Sequence, residues 1–319
     1  MLEPLNFNVD KWTPARQSKF TSWKHYCLQI YRRTIDQIFM FHPLLRLRFR
    51  RRVGYWPHLR NPRSYNEFTN WRKLYDRANW QGVSDKFAVR AFVKDRLGKK
   101  EAEELLLPLL FETKDPREIP FDDLAGQYVI KASHGSGWNL LVENPTAHER
   151  KKIIVLMRRW LKQTYNPQDH EWAYSLNQPR IIIERYMAPK HPDQFIELKF
   201  HMIRGKCAAV QYVTDLINDP RNTYFNIDWS VAGFHDASRT VIEPLWVPPA
   251  FADILRIAEK LTVGIDQLRV DFLIDGDDFR LGELTVYRSS GLKPFADREF
   301  DFKLGALWKA GKEDDTRHM

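Results

Sequence analysis

The spacing of apolar and polar positions changes along the chain, and each change predicts an element. "SYNEFTNWRKLYDR" (64–77) and "SDKFAVRAFVKDRLG" (84–98) carry apolar residues at helical spacing. Ser84 is a candidate N-cap for the second, and Gly98 its stop signal. "LLLPLLF" (105–111) predicts a short buried strand bent at Pro108. In "VIKASHGSGWNLLV" (129–142), two apolar runs meet through His134-Gly135-Ser136-Gly137, and "HERKKIIVLMRRWLKQTY" (148–165) predicts a long amphipathic helix. Strands are expected over 180–187, 195–203 and 207–214, the last two joined by an Arg204-Gly205-Lys206 turn. A helix over 250–261, strands over 268–274 and 280–287, and a helix near 300–310 complete the body. The tail, 311–319, reads as frayed. This irregular order predicts α+β lobes rather than one regularly alternating parallel sheet.

The bulk numbers add limits. A 319-residue chain with 43% hydrophobic and 13% aromatic residues buries a large core and divides into lobes. No apolar run approaches the roughly 20 residues of a membrane helix, and the start lacks a signal-peptide layout. Cys27 and Cys207 offer neither a disulfide framework nor a zinc site, so a cytoplasmic location is expected. The net charge of +9 is unevenly placed: residues 1–80 carry 16 Lys/Arg against 5 Asp/Glu, and the remaining 239 carry 34 against 36. Within that basic quarter, "FMFHPLLRLRFRRR" (39–52) has three open readings: a solvated basic face, a membrane-surface anchor, or a polyanion-binding patch. The sequence shows no further basic stripe and no nucleic-acid motif, so nucleic acid is not an expected partner.

The chemistry concentrates in "LRVDFLIDGDDFRLGELTVYRSSG" (268–291). Two strands flank a turn signal, Asp275-Gly276-Asp277-Asp278. Alternation places Arg269 and Asp271 on one strand face, and Glu283, Thr285 and Tyr287 on one face of the partner. A three-residue loop (276–278) would oppose 275 to 279, and therefore 271 to 283 and 269 to 285. Asp271 and Glu283 would then have Cβ atoms about 4.5–5.5 Å apart. Like charges so placed need something positive between them. A magnesium ion held by carboxylates and substrate phosphates is one candidate. Neutralisation by Arg269, or a bulge that separates the pair, is the other.

His134-Gly135-Ser136-Gly137 lacks the Lys-Ser/Thr of a Walker A loop, and a plain hairpin turn is the alternative. Lys131 sharpens the reading, because it shares a face with Val129 and its head must leave an apolar sheet toward a partner. Phosphates beneath Gly/Ser backbone N–H groups would supply one. In "FIELKFHMI", Glu197, Lys199 and His201 share a face, which a solvent-facing sheet would also explain. "IIIERYM" delivers Glu184, Tyr186 and Met187, either as an edge for a flat ring or as core. Neither His134 nor His201 has a second histidine at metal-ligand spacing.

In this order, "SYNEFTNWRKLYDR", "DKFAVRAFV", "VIKASHGSGWN", "LKQTYNPQDHEWAY", "PRIIIERYM", "ELKFHMIRGK", "RVDFLI", "GELTVYRSSG" and "DFKLGALW" resemble the ATP-grasp superfamily. More closely, they resemble the TupA-like (teichuronopeptide-biosynthesis) ATP-grasp family, over roughly 61–310. The resemblance implies an α+β ATP-grasp fold, with two lobes clasping ATP beneath a glycine-rich loop. The expected organisation is a basic helical segment (1–60), an N-terminal lobe (61–125), a small lobe with the glycine-rich loop (126–190), a C-terminal lobe with the metal hairpin (191–310), and a flexible tail (311–319). It implies that Lys86, Lys131 and the loop residues His134, Gly135, Ser136 and Gly137 contact phosphates. Glu184 and the backbone at Tyr186 and Met187 would read adenine, Glu197 would hold ribose, and Lys199 would face the phosphate tail. Asp271 and Glu283 would hold Mg2+, and Arg269 would neutralise charge on the transferred phosphoryl group. The superfamily commonly has Asn where this chain has Thr285, which leaves a second metal in doubt. Arg288, Ser289 and Ser290 stand in the substrate loop.

The implied activity is an ATP-dependent carboxylate–amine ligase working through an acyl phosphate. Its expected partners are an anionic sugar or polysaccharide precursor and an amino acid or amine, in building a bacterial surface polymer. The segment 39–52 could then touch the anionic inner membrane surface. A sugar-modifying phosphotransferase or glycosyltransferase, and a non-catalytic polyanion-binding scaffold, are the rivals.

Overall fold

Strand alternation and register organise the chain into two separate sheets. The computed structural model describes residues 23–39, 41–78, 80–214, 216, 221–235, 246–295 and 297–316. Residues 1–22 of the basic segment, Met40 and the last three tail residues lie outside them. Helices Trp23–Ile38 and Pro43–Val53 occupy the described part of the basic segment. The chain divides into two compact units, one comprising Met1–His42, Ser84–Ala88 and Leu107–Ala188, the other Pro43–Val83, Val89–Leu106 and Pro189–Met319.

The first unit holds strands β1 (Leu109–Thr113), β2 (Gln127–Ala132), β3 (Asn139–Glu143) and β4 (Ile181–Arg185) in the antiparallel order β1-β4-β2-β3. In β2, Tyr128, Ile130 and Ala132 point into a core shared with Ile153, Met157 and Trp160 of helix Ala147–Leu161. Val129 and Lys131 point to the opposite face. A capping box between Thr146 and Glu149 starts that helix. The expected strand at 105–111 begins later than predicted: Leu105 closes helix Lys99–Leu105, and Pro108 accepts a hydrogen bond from Arg185 N at the mouth of β1.

The second unit carries β5 (Phe195–Ile203), β6 (Lys206–Thr214), β7 (Arg221–Phe225), β8 (Val231–His235), β9 (Gln267–Asp275) and β10 (Asp278–Thr285) in the order β10-β9-β5-β6-β7-β8. Strands β7 and β8 were not anticipated. Helix Phe251–Thr262 covers one face, where Phe200 stacks on Phe251 at 5.9 Å. Helix Tyr65–Tyr75 begins with a Ser64–Glu67 capping box and packs on helix Arg298–Thr316. The latter continues to Thr316, beyond the expected end near 310. Tyr65, Phe68, Tyr224, Phe295, Phe300 and Trp308 form an aromatic core there.

Ser84 does not cap the following helix. It ends a short helix, Gln81–Ser84, and donates its hydroxyl to Asn177 Oδ1 at 3.1 Å. Asp85 instead accepts from the N–H groups of Phe87 and Ala88, at 2.8 and 2.9 Å. Gly98 does end helix Val89–Leu97 and leads into the next one.

Candidate active site

In the first unit, Val129, Lys131 and Glu184 share a sheet face through the β2–β4 register, in which Val129 opposes Glu184. Lys131 Nζ donates to Glu184 Oε2 at 2.7 Å, so the strand lysine's protein partner is a carboxylate. Past β2 the chain turns tightly. Ala132 N donates to Trp138 O at 2.9 Å across the turn. Gly135 is required by close approach: an added Cβ would stand 2.7 Å from Trp138 Cε3. Ser136 is half-buried, and Gly137, at φ +72°, is exposed. His134 lies beneath the loop at 2% exposure, with Nε2 donating to Trp160 O at 3.0 Å and its ring edge-on to Trp138. Burial depresses its pKa, so it is a neutral support there.

Lys86 reaches the same turn, its Nζ donating to Gly135 O. The sequence reading missed Asp85 and Ser133, a buried pair in which Ser133 Oγ donates to Asp85 Oδ2 at 2.9 Å. Their signal was a polar residue just before Lys86 and another two positions after Lys131. Tyr186 and Met187 follow β4, half-buried, and Tyr186 N donates to Gln127 O at 3.3 Å.

In the second unit, Glu197, Lys199 and His201 do share one face of β5. Asp271 opposes Glu283 on β10 and Lys199 on β5, and Arg269 opposes Thr285. The hairpin reaches those pairs by a different route. Asp275 opposes Asp278 across a two-residue turn, and a bulge between Leu281 and Glu283 restores the shift. The bulge therefore brings Asp271 and Glu283 together rather than separating them.

Asp271 is 1% exposed at its side chain and accepts three charged donors. Arg269 Nε donates to Oδ1 at 2.7 Å, Arg269 Nη2 to Oδ2 at 2.6 Å, and Lys199 Nζ to Oδ2 at 2.9 Å. Burial alone would raise its pKa, but Arg269 and Lys199 outweigh that and hold it at about 2. Lys199 also pairs with Glu197 at 2.6 Å. Burial lowers the lysine's pKa, yet Asp271 and Glu197 reverse the shift and raise it. Burial raises the pKa of Glu197 against the pull of Lys199. Farther along the strand, His201 is fully buried beside Tyr65, Tyr224 and Phe295. Burial first, then Arg288 and Arg269, drives its pKa well below the ordinary value.

The donor set can accommodate a hard cation. Each carboxylate oxygen has two lone-pair sites, so Asp271 Oδ1, with one bonded donor, retains one. Glu283 supplies a second carboxylate on the opposing strand. Thr285 Oγ1 already accepts from Arg269 Nη2 at 3.0 Å, which binds it to the arginine first. Two carboxylates plus substrate phosphates form a sufficient magnesium set. Among the described residues, no group of three or more His, Cys, Asp or Glu is placed to hold a metal by protein ligands alone.

In the segment after β10, Arg288 is 4% exposed, with Nη1 donating to Lys293 O at 2.9 Å and Nη2 to Tyr224 Oη at 3.0 Å. Its guanidinium also lies 3.9 Å from the Phe295 ring centroid. Ser289 is exposed and Ser290 half-buried, both with positive φ.

These sheets and this cation–carboxylate cluster are the features of an ATP-grasp fold. The model of the TupA-like ATPgrasp family matches residues 67–309, and the chain belongs to that family. Among solved structures it is similar to D-alanine–D-alanine ligase from Helicobacter pylori, with 15% identity, TM-score 0.40, and coverage of 72% of this chain and 61% of that one. The corresponding enzyme from Bacillus anthracis shows 13% identity, TM-score 0.41, and coverage of 73% and 69%. The ATP-grasp ligase PsnB, complexed with minimal precursor, Mg and ADP, shows 13% identity, TM-score 0.38, and coverage of 73% and 58%. The chain thus spans about three fifths of the PsnB and Helicobacter pylori chains. Among curated proteins, none matches it.

Proposed function

We propose that the chain is an ATP-dependent carboxylate–amine ligase. The observation that carries the reading is the buried Asp271, opposed to Glu283 and held ionised by Arg269 and Lys199. In the first unit, Lys86, Lys131 and the turn at Gly135, Ser136 and Gly137 would hold phosphates, with His134 bracing the turn. Glu184 and the backbone at Tyr186 and Met187 would meet adenine, and Glu197 the ribose. Magnesium, when bound, would be held by Asp271 and Glu283 and would screen phosphate charge.

A substrate carboxylate attacking the γ-phosphate yields an acyl phosphate and ADP, and an amine then displaces phosphate to form an amide. Both approaching groups in the first step are anions. Arg269 and Lys199 offset that charge in a buried setting, where fixed charges act more strongly than in water. No general base is needed to ionise a carboxylic acid at neutral pH. On the resemblance to the teichuronopeptide-biosynthesis family, the acceptor in this reading is a uronic-acid carboxyl of a bacterial surface polysaccharide, joined to an amino acid or amine. Because Arg288 is buried and bonded to Lys293 O and to Tyr224 of β7, Ser289 and Ser290 are the better-placed contacts for that acceptor.

The test is incubation with ATP, magnesium, a panel of uronic acids and a panel of amino acids, read by ADP release and product mass. A product equal to acid plus amine minus water is expected. A phosphorylated or glycosylated sugar without an amide would mean a transferase instead. The reading extends to location: Phe39, Phe41 and Leu47 are exposed near Arg50, Arg51 and Arg52 in sequence, which supports contact with an anionic membrane through 39–52. No described helix is long and apolar enough to cross a membrane. Equal co-sedimentation with anionic and neutral liposomes would refute this contact.

A further inference from the structure

Helix Ala147–Leu161 carries a basic face that the sequence reading did not separate from its amphipathic pattern. Lys151, Lys152, Val155, Arg158, Arg159 and Lys162 are all exposed. The helix's only acid, Glu149, is held in the N-terminal capping box. A cleft of about 360 Å3 is lined by Val155, Arg158, Arg159, Lys162 and Gln163. That size lies near the lower end of the roughly 300–1,000 Å3 range of small-ligand sites.

Cations near a helix C-terminus are favoured by its dipole, so the basic residues alone need no ligand. Gln163 is different. It is 4% exposed, and its side-chain oxygen is buried with no hydrogen-bond partner. An orphaned acceptor calls for a ligand hydroxyl or N–H. The three cations beside it call for an anion. Arg158 also feels Asp115, but that carboxylate is already bound by Arg117 Nε at 2.9 and 3.0 Å. A ligand bearing both hydroxyls and carboxylates meets both demands.

We propose that this cleft binds an acidic glycan, with carboxylates on Arg158, Arg159 and Lys162 and a sugar hydroxyl donating to Gln163. The inference rests on the proposed function in making the acceptor part of a polymer, and it adds a subsite that would hold the polymer outside the reacting residues. The glycine turn and this segment are joined, since His134 donates to Trp160 O three residues before Gln163.

The experiment titrates labelled oligogalacturonate into the full chain and into Arg158→Glu/Arg159→Glu/Lys162→Glu and Gln163→Leu variants. ATP–magnesium binding is measured in parallel by calorimetry. The charge-reversal variant should lose at least tenfold in glycan affinity and Gln163→Leu about threefold or more, with nucleotide affinity within twofold of wild type. A neutral maltooligosaccharide of equal length should bind at least tenfold more weakly than the uronate. Unchanged uronate affinity in the charge-reversal variant, or none in wild type, overturns the site. Equal binding of polyglutamate or tripolyphosphate overturns the glycan assignment. Absent ATP–magnesium binding contradicts the ligase reading, and the glycan result is read separately from it.

Discussion

The two units arrange charge differently. Around the glycine turn, Lys131 is paired with Glu184, and Lys86 donates to the carbonyl of Gly135. Around the hairpin, Arg269 and Lys199 face three carboxylates: Asp271, Glu197 and Glu283. The first set balances Lys86 and Lys131 against Glu184 and Asp85; the second has more anions than cations. The contrast therefore makes each half's charge arrangement a property that can be broken separately.

The largest stability effect is expected at the hairpin. Arg269→Ala leaves Asp271 buried with Lys199 alone, and losing one partner of a buried pair costs about 3–5 kcal/mol. Urea unfolding should show it, and Arg269→Lys should recover only part, since the bidentate fork is lost. A cost below about 1 kcal/mol would mean the cluster is not buried as described. The acid limb comes next. A carboxyl held at about 2, against 3.8 when unperturbed, stabilises the fold above pH 4 and loses that contribution as pH falls toward 2. At 1.36 kcal/mol per unit this is roughly 2 kcal/mol. Glu197, whose pKa is raised by burial, acts in the opposite sense, so the clean readout is the stability difference between wild type and Asp271→Asn. That difference should shrink by roughly 2 kcal/mol between pH 4.5 and 2.

In the first unit, smaller costs are expected. Gly135→Ala must push aside Trp138, an overpacking cost of about 1–3 kcal/mol, with weakened ATP binding. Lys131→Met removes one cation from Glu184, whose side chain is only 10% exposed, and should cost about 1–3 kcal/mol while reducing ATP affinity tenfold or more. If Lys131→Met and Arg269→Ala destabilise the protein equally, the contrast between the two regions fails.

The hairpin shows how far the sequence could be read. The pairs 271/283 and 269/285 were legible from alternation, but the turn is one residue shorter than expected and Gly282 in the bulge restores the register. Glycine inside a strand is a bulge signal, so that detail was recoverable. The ion pair between Lys131 and Glu184 was not, because it depends on a non-local β2–β4 register. The same limit hid the burial of His134 and Arg288. A carbonyl at Trp160 and a phenol at Tyr224 decide those roles, and no local pattern reveals either partner. Strands β7 and β8 were overlooked because each is only five residues long and takes its pairing from a neighbour, β7 from β6 and β8 from β7.

The most direct test of the central claim is calorimetric titration of ATP, with and without magnesium, into wild type and Asp271→Asn/Glu283→Gln. The account predicts magnesium-dependent binding in wild type and its loss, by about a hundredfold or more, in the double variant, with the fold retained by circular dichroism. Magnesium-dependent binding that survives the double substitution would contradict the assignment of metal and nucleotide to this hairpin.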